Sequence, residues 1–243
     1  SDADVKSVSG YDIKLVGGLV VTAPNTQTPL IVWYKGESKD INWTATGVVT
    51  TVDIDYSTNG GTGWTNIVTN ESGHTAGSNT KSITVPDENS ENCLVRVADS
   101  AHAASVYSVS AYPFAMRPMI SLSSPTADQN LVVGSNGNTI AWSLNGSTKV
   151  SYVKLYYSKD NGAYTNVIDD SGTVPANVAY TWNNIPDAIS TDIKVKVVDN
   201  SNANVSGTSA SFNIIGSFTI QQPDANQNWL VGSAHNITWL YKG

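Results

Sequence analysis

The sequence predicts an all-β chain of tandem antiparallel β-sandwiches joined by very short linkers. Three observations carry that prediction. An Ile-x-Trp segment recurs with a period near one hundred residues, apolar and polar residues alternate within short segments, and Asn-Gly turn signals stand between them. The Ile-x-Trp copies are Ile41-Asn42-Trp43, Ile140-Ala141-Trp142 and Ile237-Thr238-Trp239. Trp43 and Trp142 are 99 positions apart, and Trp142 and Trp239 are 97 apart. A period of that size is one sandwich domain.

Each copy opens on an apolar strand that ends at a proline: Val20-Val21-Thr22-Ala23-Pro24, Ile120-Ser121-Leu122-Ser123-Ser124-Pro125 and Phe218-Thr219-Ile220-Gln221-Gln222-Pro223. An apolar segment closed by glycine follows, as in Leu131-Val132-Val133-Gly134 and Trp229-Leu230-Val231-Gly232. The Ile-x-Trp strand comes next. It is expected to run centrally in its sheet, with Trp43, Trp142 and Trp239 as core residues between the layers. Beyond it, Val52–Ser57 aligns with Val153–Ser158, and both lead into turns at Asn59-Gly60 and Asn161-Gly162. Glycine tolerates the positive φ of such hairpin turns. Ile193-Lys194-Val195-Lys196-Val197 has the period-two pattern of a half-buried strand and aligns with Leu94–Ala98. Final strands are expected over Ser110–Phe114 and Ala210–Ile214, giving about seven strands per repeat.

These repeats divide the chain into four stretches. Residues 1–17 are expected to be the last strand of a preceding repeat, 18–116 and 117–215 two whole repeats, and 216–243 the first strands of a following one. The chain is accordingly read as a window of a longer array. Inter-repeat connections such as Arg117-Pro118 and Gly216-Ser217 are shorter than typical loops, which predicts a semi-rigid rod. The partial end repeats leave a second arrangement open, in which they are exchanged between subunits of a filament.

The order apolar-strand-Pro, x-Val-Gly, Ile-x-Trp, Tyr-Ser-x-(Asp/Asn)-(Asn/Gly)-Gly and Val-x-Val-x-Asp resembles the immunoglobulin-like repeats of large bacterial surface proteins. It is similar also to the module of the Ser/Thr-rich, GPI-anchored cell-wall-assembly proteins of fungi. The resemblance covers essentially the whole chain and implies immunoglobulin-like or fibronectin-III-like sandwiches. It carries no functional residue across, because the shared motif is structural and the sandwich serves many functions.

Composition narrows the function classes. The 243 residues carry 13 Lys and Arg against 20 Asp and Glu, a net charge of -7. The cations are scattered, whereas nucleic-acid binding calls for a basic patch to neutralise phosphates. No nucleic-acid partner is expected, and no apolar run is long enough for a membrane span. The single cysteine, Cys93, excludes an intramolecular disulfide and is expected in the core. The polar, weakly charged surface is expected at a cell surface or in extracellular space.

Little in the sequence points to catalysis. His74, His102 and His235 are each isolated, without metal-ligand spacing, and there is no Gly-x-Ser-x-Gly elbow or phosphate loop. The chain is expected to be no enzyme and to need no cofactor. Asp99 and Asp199 recur at the end of the Val-x-Val strand. They fit calcium ligands at a module junction, since hard cations gather oxygens, or turn carboxylates accepting backbone N–H bonds. Asp53 and Asp55 share a strand face, but the aligned Lys154 and Tyr156 show that this pair is not repeat-wide. Trp64 and Tyr164 align after the hairpin turn and are candidate glycan contacts, with Tyr156 and Trp182 as further aromatics. Five Asn-x-Ser/Thr sequons occur, at Asn42, Asn70, Asn145, Asn204 and Asn236, as expected by accident in so Ser/Thr/Asn-rich a chain.

The function these features predict is a non-catalytic structural repeat of an extracellular fibre, adhesin stalk or giant surface protein. Its partners would be neighbouring repeats, other copies in a fibre, and glycans. The alternatives are a glycan-binding accessory module of a secreted enzyme and the strand-exchanged filament subunit.

Overall fold

Apolar side chains at alternate positions give a strand one wettable face and one that must be covered, so such strands fold as layered pairs of sheets. In a computed structural model, which describes Gly10, residues 16–72 and residues 76–243, the chain is all-β and divides into two compact units. Ser1–Pro86 and Ser90–Met116 form one unit; Asp87–Asn89 and Arg117–Gly243 form the other. The strand expected in 1–17 lies outside the described residues apart from Gly10, Val16 and Gly17, as does His74.

The first unit contains β1 (Gly18–Ala23), β2 (Val32–Tyr34), β3 (Ser38–Thr46), β4 (Thr51–Ser57), β5 (Thr65–Ser72), β6 (Gly77–Thr84), β7 (Ser90–Asp99), β8 (Tyr107–Val109) and β9 (Phe114–Arg117). One sheet has the order β1-β3-β6 and the other β2-β9-β7-β4-β5, with β8 also paired to β7. The second unit contains β10 (Ser121–Ser124), β11 (Asn130–Val132), β12 (Asn138–Ser143), β13 (Tyr152–Lys159), β14 (Asn166–Pro175), β15 (Tyr180–Trp182), β16 (Ser190–Asp199), β17 (Ser206–Thr208) and β18 (Phe212–Ile215). Its sheets have the orders β10-β12-β15 and β11-β18-β16-β13-β14, with β17 on β16. The two topologies are the same, and they are those of an immunoglobulin-like sandwich.

Nine elements arise from the expected seven strands because the first and last strands of each unit are broken and engage more than one partner. Thus β1 pairs with β3, whereas β2 lies beside β9 in the opposite sheet. Pro24 and Pro125 follow β1 and β10, where the chain leaves the first sheet. The final strand is broken at Ser110 and Ser209, so it occupies Tyr107–Val109 plus Phe114–Arg117 and Ser206–Thr208 plus Phe212–Ile215, not the expected single runs. At each break the serine N–H donates to a β7 or β16 carbonyl, Val95 or Val195, at 2.9 Å. The serine Oγ accepts the Val95 or Val195 N–H at 3.1 and 3.0 Å. A side chain thereby takes the place of a ladder carbonyl.

Each unit has its own core. Ile41, Trp43, Val52, Ile54, Cys93, Val95, Val97, Phe114 and Met116 fill the first; Ile140, Val153, Leu155, Ile193, Val195, Val197, Phe212 and Ile214 fill the second. Trp33 also lies in the first core, with its ring centroid 4.5 Å from that of Phe114. The three Ile-x-Trp tryptophans differ in burial, and Trp142 packs against the second core. Trp43 is fully buried, Trp142 is half-buried, and Trp239 is 53% exposed. On β3, β6 pairs along the strand from Ser38 to Ala45 and flanks Trp43. On β12, the three-residue β15 reaches only Asn138–Ile140, so Trp142 has a partner strand on the β10 side alone. Its Nε1 instead donates to the Ala176 carbonyl at 2.8 Å. Trp239 lies on β20 (Thr238–Lys242), which pairs only with β19 (Ser217–Gln222) in a two-stranded sheet.

That two-stranded sheet repeats the geometry of the other two opening ribbons. Val21 faces Trp43, Leu122 faces Trp142 and Ile220 faces Trp239, and an irregularity follows each pair at the next position on the first strand.

Two carboxyls that folding holds below their ordinary range contribute to the acid limb of stability. The Ser211 hydroxyl, then the Lys194 ammonium, hold the Asp192 carboxyl below its ordinary range in the second unit. The Tyr34 backbone N–H, aided by Lys39, does the same for Glu37 in the first. A carboxyl depressed on folding contributes stability that is complete above its unfolded value and disappears as pH falls through the folded one. Urea midpoints are therefore expected to be flat above about pH 5 and to fall below about pH 4, where free carboxyls protonate. Asp192→Asn should flatten part of the acid limb for the second unit and leave the first unit unchanged. Equal acid limbs in the variant and the parent chain would remove this assignment.

Candidate functional site

The candidate site is the outer face of the larger sheet in each unit, where β7 or β16 crosses behind a hairpin. Alternation directs the side chains. Val95 and Val97 point inward and are fully buried, so Arg96 points outward; Val195 and Val197 do the same for Lys196. Across the ladder, Asp55 is in register with Arg96 and Tyr156 with Lys196. The hairpins deliver the third component. Gly60 and Gly61 have φ of 68° and 90°, and Asp160 and Asn161 have φ of 53° and 58°. These turns return the chain so that Trp64 and Tyr164 lie just before β5 and β14. Asp and Asn are among the few side-chain-bearing residues that enter this region readily.

In the first unit the Arg96 guanidinium lies 4.8 Å from the centroid of Trp64. Its Nε and Nη2 donate to Asp55 Oδ2 at 3.0 and 2.7 Å. Asn66 Nδ2 donates to the other Asp55 oxygen at 3.0 Å. The cation and carboxylate thus satisfy one another beneath the indole. A groove of about 450 Å³ lies here, bounded by Gly60, Trp64, Leu94, Arg96, Ala103 and Tyr107. In the second unit Lys196 Nζ is 5.8 Å from the Tyr164 ring centroid. A groove of about 300 Å³ is lined there by Lys154, Tyr156, Tyr164, Lys196, Val198 and Asn200. Both aromatics of the predicted pair therefore lie partly exposed at equivalent places, each beside an outward cation. Such stacking orders the cation and ring at a gain of about 0.5–1 kcal/mol at exposed sites. A partly exposed ring beside hydrogen-bonding groups is the chemistry that holds a sugar ring, with C–H groups on the aromatic face and hydroxyls at the rim.

Sequence alone does not single out the cations, because Arg96 and Lys196 have the pattern of ordinary outward residues on alternating strands; the signal is their recurrence at aligned positions. Trp182, among the weighed aromatics, is buried and packs against Tyr157 at 5.6 Å. Burial pushes the Tyr157 hydroxyl up from its ordinary range.

Asp99 and Asp199 are buried at the ends of β7 and β16. Asp99 Oδ1 accepts the Ala101 N–H at 3.0 Å, and its Oδ2 meets His102 Nδ1 at 2.9 Å. Asp199 Oδ1 accepts the Ser201 N–H at 3.0 Å and hydroxyl at 2.9 Å. Asp199 Oδ2 also accepts from Asn89 Nδ2 at 2.6 Å, and both aspartates act as turn acceptors, the second of the two roles their sequence positions fit. Among the described residues no three His, Cys, Asp or Glu side chains gather. Asp53 likewise serves the fold: its Oδ1 accepts the Asn70 N–H and the Ser100 hydroxyl, both at 2.8 Å. His235 stacks on Trp229 at 4.4 Å. Among the described residues no helix is long and apolar enough to cross a membrane.

No protein-family model matches the chain, and no curated protein matches it. Among solved structures it is similar to the titin immunoglobulin tandem A168–A169, at 12% identity and a TM-score of 0.34, covering 82% of this chain and 96% of that one. It is also similar to the titin tandem A164–A165, at 11% identity and a TM-score of 0.29 over 83% of this chain and 99% of that one. A third likeness is to the four N-terminal immunoglobulin domains of Dscam1 isoform 1.9, at 15% identity and a TM-score of 0.33 over 76% of this chain and 43% of that one. The strand order within each unit defines the class of the protein, tandem immunoglobulin-like sandwiches.

Proposed function

We propose that the chain is a non-catalytic structural repeat segment of an extracellular fibre, adhesin stalk or large cell-surface protein. The observation that carries this reading is the threefold recurrence of one ribbon register, Val21 to Trp43, Leu122 to Trp142 and Ile220 to Trp239. On this reading 18–116 and 117–215 are whole repeats, and β19–β20 is the opening ribbon of another. Repetition of a unit with its own core extends reach without new chemistry. The strand arrangement suits load-bearing. In the repeat 117–215, β11, near its start, runs parallel to β18, near its end, with Asn130, Leu131 and Val132 opposite Asn213, Ile214 and Ile215. Tension between these strands loads all their hydrogen bonds in shear together.

Immunogold labelling of intact cells that make the protein, using antibody raised against this chain, is expected to decorate the outer surface or projecting filaments. Labelling that appears only after permeabilisation would overturn the reading. A second reading, contact with saccharides, is favoured by the equivalent partly exposed rings of Trp64 and Tyr164, each beside a cation and a groove.

A further inference from the structure

We propose that the groove of the second unit, built on Lys154, Tyr156, Tyr164 and Lys196, binds an anionic pyranoside, a sugar ring carrying a carboxylate or a sulfate. This inference rests on the saccharide-contact reading and adds the charge of the ligand.

The two grooves share a ring and an outward cation at equivalent positions, Trp64 with Arg96 and Tyr164 with Lys196, and differ in the rest of their lining and in charge. Tyr156 faces Lys196 across the β13–β16 ladder and Lys154 faces Val198, so both lysines stand on one face at diagonal positions. Diagonal Cβ atoms in a sheet lie roughly 7–8 Å apart, so two flexible ammoniums can converge on one ring substituent or span two. Lys196 Nζ is 5.8 Å from the Tyr164 ring centroid, and Tyr156 shares the face, two residues from Lys154 and opposite Lys196. Among the described residues neither Lys154 nor Lys196 forms an ion pair, whereas Lys39, Lys81, Lys149, Lys194 and Arg96 each do. The one carboxylate lining the groove, Asp199, is buried and accepts from Ser201 and from Asn89 Nδ2.

In the first unit the corresponding positions are Asp53 for Lys154, Asp55 for Tyr156 and Arg96 for Lys196, by their register with β7 and β16. There Asp55 neutralises Arg96 and Asp53 is held by backbone and serine. The first groove closes its charge internally; the second leaves two positive charges open on a chain whose net charge is -7. Two unneutralised ammoniums beside two tyrosine rings complement an anion mounted on a sugar, since charge-assisted hydrogen bonds are the stronger polar contacts.

The test titrates the full chain with trigalacturonate, a sulfated trisaccharide and neutral maltotriose, followed by calorimetry and by amide shifts on β13 and β16. One or both anionic sugars are expected to bind, more weakly as salt rises, and the arm that binds identifies the anion. The double change Lys154→Gln/Lys196→Gln should weaken that binding by about tenfold or more, with an unchanged melting profile showing the fold intact. Arg96→Gln should leave it unaltered. Equal binding of maltotriose, insensitive to the lysine changes, would overturn the anionic inference and keep the saccharide-contact reading. Absence of binding by every sugar at millimolar concentration would remove both. Loss in Arg96→Gln, with retention in the lysine variant, would place the site in the first unit and overturn the proposal.

Discussion

Trp43→Ala is expected to cost the first unit about 3–5 kcal/mol, the range for deleting a fully buried large aromatic. Trp43 sits on the central strand β3, flanked by β1 and β6, with no solvent exposure. Leu19, Val21, Ile41 and Ala45 are buried with it in one core, so the surrounding sheet can collapse only partly into the space left behind. The aligned change Trp142→Ala should cost much less, about 1–2 kcal/mol, because only part of that side chain leaves water on folding. Within the second unit Trp182→Ala is expected to exceed Trp142→Ala, since Trp182 is 5% exposed and packed on Tyr157. Hydrogen exchange of the whole chain separates the units: Trp43→Ala should accelerate exchange in β7 and leave β16 unchanged. Equal losses for Trp43→Ala and Trp142→Ala would show that the repeat position, and not its neighbouring strand, determines the cost.

That contrast marks where sequence reasoning works and where it stops. Ile41-Asn42-Trp43, Ile140-Ala141-Trp142 and Ile237-Thr238-Trp239 are equivalent in sequence and in ribbon register. The strand, its direction and the residue it faces across the ribbon are therefore legible. Burial is decided by what lies on the other edge, where the eight-residue β6 is a weakly patterned Ser/Thr/Asn segment and the aromatic β15, Tyr180-Thr181-Trp182, is only three residues long. The grooves were half legible in the same sense. Trp64 and Tyr164 could be aligned because a tight turn precedes each, but their partners come from a strand more than thirty residues later. Asp55 shows the limit most clearly. As one of two aspartates on a strand face it suggests a shared acidic site, whereas the ladder places Arg96 opposite and makes it an ion-pair carboxylate.

Ser110→Ala and Ser209→Ala are each expected to destabilise their own unit by about 1–3 kcal/mol, the cost of leaving a buried donor unsatisfied. These serines are nearly inaccessible, and each completes the break in the final strand with two bonds to one residue of the neighbouring strand. Removing Oγ leaves the Val95 or Val195 N–H facing a methyl group where no ladder carbonyl is in place. The affected amide is itself the readout: in Ser110→Ala the Val95 amide should exchange faster relative to Val97, and in Ser209→Ala the Val195 amide should do so relative to Val197. The exposed Ser206→Ala should stay within about 0.5 kcal/mol of the parent chain, and losses that small at both buried serines would refute the bridging role. In a chain so rich in serine the pair is invisible to composition. Alignment misses it too, because the offset between equivalent residues drifts from Val52 and Val153 through Val95 and Val195 to Ser110 and Ser209 as loops gain or lose single residues. The repeat therefore conserves a hydrogen-bonding solution at a position that spacing alone does not preserve.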